Sequence, residues 1–191
     1  MLRGELFSGE MVRAYQEGRK LHTARPIKPQ PNAKTFVPSE RVMPECVGAY
    51  FFDDGTVANP KHRPGDYIYC RETWRATGVS SSPYAYRASE EDLHLIGESG
   101  KALTLKYRWR PSIHMPREAA RLFFRVSRIE AMRLEDVTEE FAREDGFQAR
   151  PEFSALVQFK HFWRQTYGDA RWMWVYWTEP CSREEAMGRD D

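Results

Sequence analysis

The chain has 191 residues, 41% of them hydrophobic and 30% charged, and its 29 Lys+Arg nearly cancel 28 Asp+Glu, leaving a net charge of +1. A chain of this length buries roughly 70% of its unfolded surface, so a single domain needs no metal or disulfide staple. The even charge balance excludes a histone-like basic protein and an acidic tail protein. No run of about 18 apolar residues is present to span a bilayer, and the first twenty residues lack the apolar stretch of a secretory signal. Cys46, Cys70 and Cys181 are an odd number without CxxC spacing, so neither a disulfide framework nor a zinc site is expected. The expectation is a cytoplasmic monomer with no metal, no cofactor and no membrane attachment.

In chain order, residues 5–19 read as a short extended segment followed by a helix. Ser8 is its N-cap, Met11, Val12 and Tyr15 fall at helical spacing, and Gly18 is its stop. Residues 26–64 carry seven prolines and read as an ordered loop holding one hairpin, Gly48 to Val57, turning at Asp53-Asp54-Gly55. Pro64-Gly65-Asp66 launches a strand over residues 67–74, and a further short strand is expected at 83–87 inside a Ser-, Gly- and acid-rich stretch, 76–101. Period-2 alternation predicts strands at 102–109 and 121–130. Thr138 opens a short helix over 139–145 closed by Gly146; residues 153–167 form the longest helix, ended by Gly168. Alternating aromatics make 172–178 a final strand, and residues 179–191 are expected to be a flexible C-terminal tail. The pattern alone predicts a mixed α+β fold with a small β-barrel.

Four segments stand out in order: Gly18-Arg19-Lys20-Leu21-His22-Thr23-Ala24-Arg25; Pro64-Gly65-Asp66 running into Arg71-Glu72-Thr73-Trp74; Trp109-Arg110-Pro111-Ser112-Ile113-His114-Met115-Pro116-Arg117; and Val137-Thr138-Glu139-Glu140 through Gly146-Phe147. Together they resemble an ASCH domain, in the longer form found in phages and prophages, over about residues 5–178. The resemblance implies a single domain spanning residues 1–178 with an insertion near 76–101, a PUA-like β-barrel with packed helices, and a cleft for RNA or a nucleoside. One branch of the family hydrolyses N(4)-acetylcytidine to cytidine and acetate, using the Lys and Thr of GRK-x-x-T with a Glu on the short helix before the longest one. Lys20 and Thr23 match the first two, and Asp145, one methylene shorter, falls at the third. Ala24 stands where the family often has Arg, with Arg25 next. Other family members bind or cleave RNA, which supplies the rival expectation of an RNA-binding module.

The chemistry is self-consistent. A Thr hydroxyl is a weak nucleophile that needs an adjacent base, and a Lys is that base only where burial or a neighbouring cation, here Arg19 or Arg25, lowers its pKa. A carboxylate at Asp145 orients the Lys but also raises its pKa, so the two effects oppose one another. The plainer alternative is that Arg19 and Lys20 are a solvated helix C-terminus, where cations are favoured anyway. Arg19, Arg25, Arg71, Glu72, Trp74, His114 and Arg117 are candidate nucleoside or RNA contacts, through stacking, bidentate clamping or imidazole chemistry. Glu72 reads equally as half of a buried Arg–Glu pair, and His114 as a structural hydrogen-bonder. Residues 13–34 carry six cations (Arg13, Arg19, Lys20, Arg25, Lys28, Lys34) against Glu17, a local basic cluster suited to guiding phosphates.

Overall fold

The computed structural model describes residues 1–38, 49–78, 80–89 and 108–188. In chain order the elements are β1 (Leu2–Leu6), α1 (Gly9–Gln16), β2 (His22–Pro26), β3 (Phe36–Pro38), β4 (Tyr50–Phe52), β5 (Val57–Ala58), β6 (Tyr67–Arg71), β7 (Trp74–Ala76), β8 (Tyr84–Tyr86), β9 (Phe123–Arg133), α2 (Glu139–Glu144), α3 (Ala155–Tyr167), β10 (Trp172–Cys181) and α4 (Arg183–Met187). The main sheet has the order β1-β6-β9-β10-β2. β1 runs parallel to β6, and the remaining pairs are antiparallel. The fold is mixed α+β.

Each helix begins as its sequence dictates. Ser8, Thr138 and Ser154 accept hydrogen bonds from Met11, Phe141 and Val157 amides at 3.4, 3.1 and 3.3 Å, satisfying N-terminal donors that the helices leave open. The Glu139 carboxylate also accepts from the Ala155 and Leu156 amides, both at 3.0 Å, and so fixes α2 against the start of α3. β10 is the spine of the core. Its residues 172–176 are all buried, and Val12, Ile27, Phe159 and Trp163 belong to the same cluster. The Trp163 indole donates to the Ala170 carbonyl at 2.7 Å, which pins α3 to the turn leading into β10.

The main sheet curls until its two edge strands face one another. Arg25 on β2 reaches β1, donating to the Leu6 carbonyl at 3.0 Å and lying 3.3 Å from the Glu5 carboxylate. Side chains, not backbone ladders, make this link, so among the described residues the sheet is curled without being a closed barrel.

Three further readings are corrected. The predicted strand 67–74 breaks at Glu72-Thr73, where Glu72 turns inward to Arg121 and the chain leaves the main sheet to pair β7 with β8. The short helix ends at Glu144, with Asp145 as its cap. The C-terminal stretch is not a loose tail as far as residue 188: β10 extends to Cys181, Ser182 caps α4, and Ala186 is buried beside Tyr67 and Phe123. The hairpin around Asp53-Asp54-Gly55 forms as β4–β5 and gains a third strand, β3. The strand expected at 102–109 and the later part of the 76–101 insertion fall on residues 90–107, outside the described residues. Among the described residues, no helix is long and apolar enough to cross a membrane.

Candidate functional site

The GRK-x-x-T segment turns sharply after α1. Gly18 takes φ +70°, and the Arg19 and Lys20 amides both return to the Ala14 carbonyl at 2.9 and 3.1 Å. The Leu21 amide then donates to the Glu144 carbonyl at 2.8 Å, stitching this turn to the end of α2. Gly146 makes the approach possible. It sits at φ +98°, and a Cβ there would lie 2.8 Å from the Ala14 Cβ. The result directs Lys20 inward. It is 4% exposed, not a solvated helix end, and its Nζ donates to Asp145 Oδ1 at 2.8 Å and to the Asp145 carbonyl at 2.7 Å. Residues 125 positions apart thus form a buried ion pair. Burial lowers the Lys20 pKa despite the pull of Asp145. Burial also works against the Asp145 anion, but the Lys20 ammonium and the His22 ring outweigh it and hold that carboxyl below its usual range.

His22 belongs to this cluster, and the sequence reading did not single it out. It is fully buried, with Nδ1 3.2 Å from Asp145 Oδ1 and Nε2 3.9 Å from Glu144. Its ring lies between Phe141 and Trp177, at centroid distances of 4.2 and 4.7 Å. The only legible signal was its position, two residues after Lys20 at the start of a short strand.

Thr23 is also buried, and its Oγ1 accepts a 2.8 Å hydrogen bond from Arg25 Nη1. Arg25 continues to Glu5, a second group the sequence did not single out. Glu5 lies among Arg25, Lys61 and His62, whose Nε2 is 2.9 Å away. Burial disfavours its charge, but His62, Arg25 and Lys61 together bring its pKa down to about 2.

Lys20, Thr23, Arg25 and Asp145 line one small cavity of about 40 Å³, walled by Phe7, Met11, Phe159 and Trp163. Arg25 and Tyr167 also line a neighbouring cleft of about 810 Å³, together with Glu5, Lys61, Trp174 and Tyr176. The cleft lies within the range of about 300–1,000 Å³ usual for small-molecule sites. The small cavity has room for about three waters, or a group of two or three heavy atoms.

The other candidates lie elsewhere. Arg19 points out from the turn to Glu17 and the Gly146 carbonyl. Arg71 donates to the Ile113 carbonyl. Glu72, 1% exposed, forms a two-point pair with Arg121 at 2.9 and 3.0 Å, the bland alternative for that residue. Trp74 is buried with Tyr67, Met115 and Phe123, and Arg110 lies over its ring. His114 is exposed, and Arg117 sits on a single 3-10 turn. None of these six lines either cavity. The basic cluster expected over 13–34 disperses too: Lys20 is interior, Arg25 is bound to Glu5, and Arg13 donates to the Ala88 carbonyl. Among the described residues, no group of three or more His, Cys, Asp or Glu is placed to hold a metal.

Comparison with known proteins finds no matching family model, no similar characterised protein and no similar solved structure.

Proposed function

We propose that this chain is an ASCH-type amidohydrolase that removes a small acyl group from the exocyclic amine of a pyrimidine nucleoside, with N(4)-acetylcytidine as the reference substrate. The observation that carries the reading is the meeting of Lys20, Thr23 and Asp145 around one acyl-sized cavity that adjoins a nucleoside-sized cleft. The drawing together of the sheet edges by Arg25 supports the companion proposal of a PUA-like, barrel-related fold.

The acyl group enters the small cavity and its methyl meets the aromatic wall. Once the Lys20 ammonium of the resting ion pair has given a proton to solvent, its amine takes the Thr23 hydroxyl proton as Thr23 Oγ1 attacks the acyl carbon. Arg25, already donating to Thr23 Oγ1, stabilises the oxyanion. Collapse breaks the C–N4 bond, and the amine leaves with the proton held by Lys20. Water, deprotonated by Lys20, then attacks the Thr23 ester, releasing acetate and restoring the hydroxyl. Asp145 and the Asp145 carbonyl hold Lys20 in place throughout, and burial lowers the amine's pKa towards the range where it works as a base.

The test is chromatographic: purified protein with N(4)-acetylcytidine, beside Lys20→Ala and Thr23→Val. Cytidine from the wild type, and none from either folded variant, is the expected result. If the folded wild type forms no cytidine, the hydrolase reading fails. Salt-sensitive retention of RNA on a filter would then favour the binding-module alternative.

A further inference from the structure

A second concavity, of about 630 Å³, lies on the other side of the α3–β10 turn, and no part of the hydrolase reading uses it. It collects five cations from four segments: Lys34 after β2, Arg133 at the end of β9, Lys160 and Arg164 one turn apart on α3, and Arg171 before β10. Glu135 is the only acidic residue in the lining. It pairs with Arg133 at 2.6 Å, and Asp136 holds the same guanidinium at 2.8 Å. The other four cations form no ion pair with any described residue. Asp53 and Asp54 accept from the Lys34 and Asn32 amides at one edge of the hollow, so its four cations without an ion pair among the described residues are only partly offset.

The walls of this hollow are fixed. Gln30 Oε1 accepts from the Arg171 and Trp172 amides at 2.8 and 2.9 Å, and Gln30 Nε2 donates to the Trp172 carbonyl at 2.8 Å. The Trp172 indole donates to the Ala33 carbonyl at 3.2 Å, and the Leu134 amide to the Arg171 carbonyl at 2.7 Å. The 30–34 loop, the end of β9 and the start of β10 therefore form a rigid frame from which the long cations project. Arginine in such a frame suits phosphate oxygens, which it meets with two parallel donors.

We propose that this concavity is a phosphate-binding site that takes two or more linked phosphate groups, as in a polynucleotide backbone or a nucleotide polyphosphate. Pro26, Ile27, Lys28 and Gln30 line the cleft and Pro31 to Lys34 the basic site, so the two share a rim. The site stands on its own charges and does not depend on the chemistry assigned to Lys20.

The experiment uses the full chain and no activity readout. A short fluorescein-labelled single-stranded RNA is titrated by anisotropy over a range of salt, and sodium tripolyphosphate by calorimetry. The variants are Lys160→Glu/Arg164→Glu and the milder Lys34→Ala/Arg171→Ala. Arg125→Glu/Arg128→Glu, which reverses two exposed β9 cations, makes the same charge change elsewhere. The α3 reversal is expected to weaken RNA binding at least about tenfold and to lower the log–log salt slope by about 1.4, two single-strand phosphate contacts. The control should stay within about twofold of wild type. RNA bound far more tightly than tripolyphosphate identifies a backbone site; tripolyphosphate bound at least as tightly, with the same loss on reversal, identifies a free polyphosphate site. No binding of either probe, or binding that both site variants leave unchanged, overturns the proposal.

Discussion

Replacing Lys20 by Met tests the buried pair at the centre of the site. The substitution keeps most of the side chain's length and deletes its charge, leaving the interior Asp145 carboxylate beside the His22 ring at 3.2 Å. The two hydrogen bonds from Nζ, at 2.8 and 2.7 Å, are lost together. Removing one partner of such a pair costs about 3–5 kcal/mol, because the remaining charge is uncompensated. For a chain of this size, each kcal/mol is about 2–4 °C in melting temperature, so the expected fall is about 6–20 °C. Lys20→Met/Asp145→Leu removes both charges and should recover at least about 2 kcal/mol of the summed single losses. Urea unfolding followed by tryptophan fluorescence, with the slope checked for constancy, measures all three variants. A loss under about 0.5 kcal/mol for Lys20→Met is what a solvated helix end would give, and strict additivity in the double variant would equally refute the pairing.

Three further outcomes follow from the geometry. The folded-state pKa of Glu5, about 2, lies below its ordinary 4.5, so its contribution, of order 3 kcal/mol, is complete above about pH 4.5 and disappears as pH falls towards 2; Glu5→Gln should flatten that part of the acid unfolding curve. Gly146→Ala forces a Cβ to within 2.8 Å of Ala14 at a positive φ and should lower stability by about 1–3 kcal/mol in thermal unfolding, whereas Gly55→Ala, with open space around it, should bear only the backbone strain. Arg121→Ala strands the buried Glu72 and should cost about 2–4 kcal/mol, most of it recovered by adding Glu72→Leu; a loss within 0.5 kcal/mol in the same urea assay would contradict the assigned pair.

Local sequence carried the elements well, because local rules decide them. Ser8, Thr138 and Ser154 are caps by their own hydroxyls, and Gly18, Gly146 and Gly168 stop helices by their own positive φ. The site was legible only where a motif stood in for distance. Lys20 and Thr23 came from GRK-x-x-T, and Asp145 from its place before Gly146, but no periodicity could show that they meet. Glu5 and His22 were missed for the same reason. A lone acid in LRGEL looks ordinary until β1 and β2 face one another, and a lone His in KLHT until the end of α2 packs over it. Charge counting along the chain misled in a complementary way. The cations of 13–34 are close in sequence and separate in space, whereas Lys34, Arg133, Lys160, Arg164 and Arg171 are scattered in sequence and gathered in one hollow. Net charge per window measures a one-dimensional density, while a ligand meets a surface.

Arg25 shows why fold and proposed chemistry are hard to separate here. One guanidinium donates to Thr23 Oγ1, to the carbonyls of Ala24 and Leu6, and toward Glu5. Two of those contacts, to Leu6 and Glu5, join the edge strands β1 and β2. The contact to Thr23 orients the proposed nucleophile. A lysine ammonium offers three donors from a single point and cannot span acceptors set on two strands, so a change of cation at this position alters sheet curvature and Thr23 orientation together. The cavity beside Lys20 and the cleft beside Glu5 meet at this same side chain. The contact that brings the sheet's edges together is therefore also the wall between the space for an acyl group and the space for a nucleoside. In the proposed reaction, the carbonyl under attack would have to sit at that wall, within reach of the only guanidinium that touches Thr23 among the described residues.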